Sequence, residues 1–77
     1  MQELLISIAQ GLVEDPSAVS VTEAEPDDEG IIVFTLFVAE EDKGRVIGKQ
    51  GRIAKAIRTV MRAAGTRVGK RVSVDIN

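Results

Sequence analysis

Val46-Ile47-Gly48-Lys49-Gln50-Gly51 is the stretch on which the reading of this chain turns. Its two glycines stand three apart, so the backbone can turn tightly there and another backbone can approach to hydrogen-bonding distance. Upstream, Asp42 is placed to cap a short helix, Lys43 to Ile47, which Gly48 ends as glycine does at a helix C-terminus. Downstream, a longer helix starts near Gly51 or Arg52 and closes at Gly65. It carries Ile53, Ile57, Val60 and Ala64 on one face, Ala54, Arg58 and Met61 on the flank, and Arg52, Lys55, Thr59 and Arg62 opposite. Ile53, Ile57 and Val60 are therefore assigned to the core. The first N–H groups of this helix lack partners and sit at the positive end of its dipole, which favours a phosphate, and Lys49 and Arg52 add full charges beside them. A lone Gly-x-x-Gly reads more simply as a turn between helices, so its surroundings decide its meaning.

Working outward, Leu4, Leu5, Ile8, Ala9 and Leu12 recur at helical spacing between Glu3 and Val13, and Asp15-Pro16-Ser17 stops that helix. Ala18 to Ala24 alternates Val19 and Val21 with Ser20 and Thr22, as a half-buried strand does. An acidic turn, Glu25-Pro26-Asp27-Asp28-Glu29-Gly30, leads to a central strand from Ile31 to Ala39 that is apolar on both faces apart from Thr35. Arg71 to Ile76 alternates Val72, Val74 and Ile76 with Arg71, Ser73 and Asp75, a strand with one buried face. The order is α-β-β-α-α-β, an α+β arrangement in which three helices pack on one face of a three-stranded sheet. Either Ile31, Val33 and Phe37 or Ile32, Phe34, Leu36 and Val38 are then left exposed or covered by a second subunit.

Composition narrows the function. A chain of 77 residues makes one domain, 1–77, with a thin core. With no Cys and no His it has neither thiol nucleophile nor imidazole base, and no metal site or cofactor is expected. Ser7, Ser17, Ser20 and Ser73 lack the partner a hydrolase needs, so the chain reads as non-catalytic. The N-terminus has no basic start or cleavage site, and no apolar run could span a bilayer; a cytoplasmic protein that does not engage membranes is expected. The formal net charge of −2 conceals a division: 11 of the 12 acids lie in residues 1–42, all 10 bases follow from Lys43 onward, and the two parts carry −11 and +9. Such asymmetry points to a polyanionic partner, or to two faces that attract each other within the fold. Arg62, Arg67, Lys70 and Arg71 fit either reading.

Taken together, Gly44-Arg45-Val46-Ile47-Gly48-Lys49-Gln50-Gly51-Arg52-Ile53-Ala54-Lys55-Ala56-Ile57-Arg58-Thr59, set between two strands, resembles the KH domain. In that RNA-binding module a Gly-x-x-Gly loop clamps the backbone of roughly four nucleotides. The element order is similar to the bacterial type II KH domain, and the stretch is similar to the KhpA-type proteins, small single-KH-domain bacterial RNA binders. The resemblance implies binding of single-stranded RNA as an RNA chaperone or post-transcriptional regulator, with no small-molecule substrate. It also implies a homodimer, or a heterodimer with a larger KhpB/Jag-type RNA binder. By the same resemblance the groove is bounded by Gly44, Arg45, Ile47, the loop, Ala54, Arg58 and the strand near Val72 to Val74. Backbone N–H groups of Lys49, Gln50 and Gly51 would hold phosphate or sugar. Lys49, Arg45 and Arg52 would neutralise phosphates, with Lys55 on the same basic surface. Ile47 and Ala54 would form an aliphatic platform, and Arg58 would reach a base edge. Many KH domains carry a larger aliphatic residue where Ala54 stands, which implies a shallower groove and weak base selectivity. The chain has no Trp or Tyr, and its two Phe share one strand, unlike the aromatic surfaces of RRM and OB folds.

Two other motifs fail. Gly44 to Lys49 has three residues between its glycines where a P-loop has four, and Gln50 stands where Ser or Thr is needed. With Gly30 as the sixth position of a calcium loop, the twelfth is Leu36 instead of Glu. The acidic turn is better read as repelling phosphate from that edge.

Overall fold

The computed structural model describes residues 1–77, the side chain of Lys49 excepted. Helix α1 (Gln2–Leu12) leads through a 3₁₀ turn (Pro16–Ala18) into strands β1 (Ser20–Glu23) and β2 (Ile31–Phe37), followed by the helical span α2 (Glu40–Arg67) and strand β3 (Arg71–Ile76). The sheet order is β1-β2-β3, antiparallel between β1 and β2 and parallel between β2 and β3. The parallel pair needs a crossover, and α2 supplies it. This is the α+β architecture expected, with β2 at the centre.

The side chains of β2 settle which face is inside. Ile32, Phe34 and Leu36 are buried together with Val38, whereas Ile31, Val33, Thr35 and Phe37 are half-buried on the opposite face. The inner residues meet Val21 of β1, Val74 of β3, Leu5 and Ala9 of α1, and Ile57 and Met61 of α2 in one core. On α1 the inward stripe is Leu5 and Ala9, while Leu4 and Leu12 remain exposed, so the apolar face is narrower than the residue pattern indicates.

Span α2 is not one straight rod. At about 1.5 Å per residue a 28-residue helix would be roughly 40 Å long, more than the 34 Å longest dimension of the molecule. The bend falls where Gln50 (φ 65°) and Gly51 (φ 68°) both adopt the left-handed conformation, which a right-handed helix cannot propagate. The two helices expected here thus exist, but the break lies at Gln50-Gly51. Gly48 keeps a negative φ and does not end the first segment.

Both ends of α2 also differ from expectation. The helix begins at Glu40, and Asp42, three-hundredths exposed, lies inside its first turn and does not cap it. Its carboxylate instead accepts the backbone N–H of Glu14 at Oδ1 and of Asp15 at Oδ2, both at 3.1 Å. At the other end Gly65 does not close the helix. The chain runs on to Arg67, and Gly69 (φ 74°) is the left-handed residue: its N–H donates to the Thr66 carbonyl (3.1 Å), and that of Lys70 to the Gly65 carbonyl (2.8 Å), the Schellman pattern. Gly65 serves packing. A Cβ built on it would lie 2.8 Å from both the Lys70 carbonyl oxygen and Val72 Cγ2, so only glycine lets α2 lie this close to β3.

Both outer strands carry a side-chain cap. Gln2 Nε2 donates to the Val21 carbonyl at 2.9 Å, and Arg58 Nε to the Val74 carbonyl at 3.1 Å. Each bond occupies a carbonyl that an edge strand would otherwise offer to another chain. In the turn between β1 and β2, Asp27 Oδ1 accepts the N–H groups of Glu29 and Ile31, and Gly30 takes a positive φ, so the acidic segment is an ordered turn. Among the described residues no group of acids could hold a metal ion. No described helix is long and apolar enough to cross a membrane.

Candidate nucleic-acid interface

Gly44, Arg45, Gly48, Arg52 and Ile53 line a surface groove of about 310 Å³ at the bend of α2. Four of these five, Gly44, Arg45, Gly48 and Arg52, are among the residues that the resemblance to the KH domain implies for the groove. The fifth was assigned to the core, and it is half-buried: one side touches the core and the other lines the groove. Val60 is exposed as well, so of Ile53, Ile57 and Val60 only Ile57 is fully interior. The buried stripe of the second segment runs Ala54, Ile57, Met61, Gly65, rotated from the expected Ile53-Ile57-Val60 line. Gly65 explains the rotation, because the residue that allows close approach must face the sheet. Ala54 is buried accordingly and presents almost no surface as a platform. Ile47 does present one, at 53% exposure the apolar side chain most open near the loop.

Glycine economics mark the groove. Gly44 and Gly48 lie four apart in the first segment, hence on one helical face. Neither has a positive φ, and a Cβ on either would meet nothing within 4 Å. Each costs about 0.5–1 kcal/mol relative to alanine in a helix interior, with no return in turn geometry or packing. What two such glycines provide is bare helix backbone open to whatever enters the groove. Gln50 adds a second cost, since a non-glycine residue in the left-handed region is strained by about 1–2 kcal/mol.

The cations around the groove are not equivalent. Arg45 Nη1 lies 3.2 Å from Glu14 Oε1, and Lys43 Nζ lies 3.1 Å from Glu40 Oε2. Arg52 is in no ion pair among the described residues. Lys55 is exposed on the second segment and does not line the groove. Arg58 has its Nε committed to Val74, which leaves its two terminal nitrogens for other contacts. The expected role of Lys49 rests on a side chain outside the described residues. Sequence reasoning missed Glu14, whose only signal was an acid just past the end of α1.

The sequence matches a known family. A family model described as KhpA/KhpB, KH domain, matches residues 2–76. The chain belongs to that family. It is 53% identical over 76 residues to RNA-binding protein KhpA of Clostridium acetobutylicum, with 99% of each chain covered. The protein of the same name from Caldanaerobacter subterraneus is 51% identical over 99% of both chains, and that from Aquifex aeolicus 42% identical over 99% of this chain and 94% of the other. Among solved structures the fold is similar to Aquifex aeolicus Era Y63A bound to GDP·AlF4⁻, with TM-score 0.69 and 25% identity. It is also similar to Era in complex with MgGDPNP and nucleotides 1506–1542 of 16S ribosomal RNA, with TM-score 0.68 and 25% identity. In both cases 97% of this chain is covered, but it spans only 28% of the Era chain. Family membership carries with it the non-enzymatic class expected from the missing His and Cys.

Proposed function

We propose that this chain acts as a single KH domain that binds single-stranded RNA without catalysis, in the cytoplasm, as an RNA chaperone or post-transcriptional regulator. The observation that carries the reading is the bare face of Gly44 and Gly48 beside Arg52, where a phosphodiester can approach helix backbone and meet a cation that is in no ion pair among the described residues. The relatives' shared name, RNA-binding protein, supports it. Gly48-Lys49-Gln50-Gly51 holds the RNA backbone, Arg52 and Lys49 neutralise phosphates, Ile47 and Ile53 supply the aliphatic contact for bases, and Arg58 offers its free nitrogens at the β3 side. Backbone contacts dominate such a groove, so sequence preference is weak. Titrating short single-stranded RNA at several salt concentrations tests this. Affinity should fall with salt at a slope near −0.7 per neutralised phosphate and be lost in Lys49→Asp with Gln50→Asp. Salt-independent affinity, or an unaffected double variant, overturns the reading.

A pairing role rests on a separate observation. The half-buried face of β2, with Ile31, Val33 and Phe37, lies opposite the face that meets the helices in the core and is flanked on β3 by Arg71, Ser73 and Asp75. A homodimer, or a heterodimer with a KhpB/Jag-type protein, would cover this face and link two RNA sites, raising apparent affinity. Sedimentation at rising concentration tests it, and a strict monomer in Phe37→Asp but not in the parent chain is the expected result.

A further inference from the structure

Arg45 lines the groove, but it does so with a carboxylate already against it. Glu14 Oε1 is 3.2 Å from Arg45 Nη1. The backbone that carries Glu14 is held in place: its N–H donates to Asp42 Oδ1 and the next N–H to Asp42 Oδ2, both at 3.1 Å, and Asp42 is buried. Asp42 and Arg45 are three apart on α2 and so share a helical face. One turn of helix therefore both anchors the loop after α1 and receives that loop's acidic side chain.

We propose that Glu14 is a built-in competitor for RNA phosphate at Arg45, an acid docked at the groove rim that weakens the grip on RNA and speeds its release. This rests on the RNA-binding reading above and deepens it. A phosphodiester and a glutamate each carry one negative charge and seek the same guanidinium. The pair is half-exposed on the arginine side and largely exposed on the glutamate side, so it is weak enough for phosphate to displace. Once displaced, Glu14 stays near the incoming phosphate, because its backbone N–H is held by Asp42, and the two negative charges repel. Arg52, which has no such partner among the described residues, then makes the stronger phosphate contact. The groove thus has a firm end at Arg52 and a yielding end at Arg45.

A double-mutant cycle tests this, using anisotropy of a labelled short uridine oligonucleotide with the full chain, Glu14→Gln, Arg45→Gln and the pair combined. Glu29→Gln serves as the charge control: it removes one acid from the turn between β1 and β2, at the opposite end of β2 from the start of α2. Glu14→Gln keeps both backbone bonds to Asp42 and should melt with the parent chain. It should bind about two- to fivefold tighter, the range set by an exposed ion pair, with slower dissociation, while Glu29→Gln changes little. Arg45→Gln should cost more affinity in the Glu14→Gln background than in the parent. If Glu14→Gln binds no tighter than Glu29→Gln, or Arg45→Gln costs the same in both backgrounds, the competitor role is overturned. A parent chain with no RNA affinity overturns the RNA-binding reading itself, which the parent titration reveals before any variant is compared.

Discussion

The carboxylate of Asp42 accepts the backbone N–H of Glu14 at 3.1 Å across 28 positions of sequence. With its second oxygen on the Asp15 N–H, it fastens the loop after α1 to the first turn of α2, where a negative charge also suits the helix dipole. Asp42→Ala leaves both N–H groups without an acceptor and should cost about 2–4 kcal/mol, at about 1–2 for each lost charge-assisted bond. The check is the urea midpoint at unchanged m-value.

Gly65 and Gly11 should respond in opposite directions to the same change. Gly65→Ala drives a Cβ to 2.8 Å from the Lys70 carbonyl, so α2 and β3 must separate. A loss of about 1–3 kcal/mol is expected, as for overpacking elsewhere. At Gly11, in α1, a Cβ meets nothing within 4 Å. Gly11→Ala should therefore gain about 0.5–1 kcal/mol from helix propensity. Equilibrium unfolding of both variants decides this.

Gly44→Ala and Gly48→Ala should each stabilise the fold by about 0.5–1 kcal/mol and weaken RNA binding. The added methyl has open space within the protein and occupies the surface offered to the RNA backbone. Thermal melting and RNA titration of the same samples give the two halves. Gain in melting temperature with unchanged affinity would show that RNA does not approach this face.

Gln50 and Gly51 share a left-handed backbone, but only Gln50 pays for it. Gln50→Gly should stabilise by about 1 kcal/mol and Gly51→Ala destabilise by about the same amount. Denaturant midpoints of the two variants should move apart on either side of the parent.

Arg58 and Val74 set the last expectation. Arg58→Lys keeps the charge but loses the Nε–H that reaches the Val74 carbonyl. It should cost roughly 0.5–1.5 kcal/mol and speed hydrogen exchange along β3, measured amide by amide. Arg58→Lys with β3 exchange unchanged would show that the edge is held by β2 alone.

Much of this protein follows from one-dimensional pattern. Alternation names β1 and β3, a run of β-branched and aromatic residues names β2, and helical spacing names α1 and the second segment of α2, because periods of 2 and 3.6 are properties of the backbone itself. The switch of charge at Lys43 and the glycines at 48 and 51 likewise mark the loop between the helices without any coordinates. What tertiary structure decided are matters of facing and partnership. Ile32, Phe34 and Leu36 won the interior over Ile31, Val33 and Phe37, a choice between two faces that differ in polarity only at Thr35 and that depends on which side the helices dock. The stripe of α2 turned inward at Ala54, Ile57 and Met61 because Gly65 has to meet Val72, a contact between helix and sheet that no periodicity within the helix records. Asp42 gave up its expected cap for two N–H groups far back in the chain, and Glu14 came to rest on Arg45 through that anchor. Local pattern could name the loop between the helices and its charge. That Arg45 there is already held by Glu14 depends on hydrogen bonds to Asp42 whose two ends are distant in sequence.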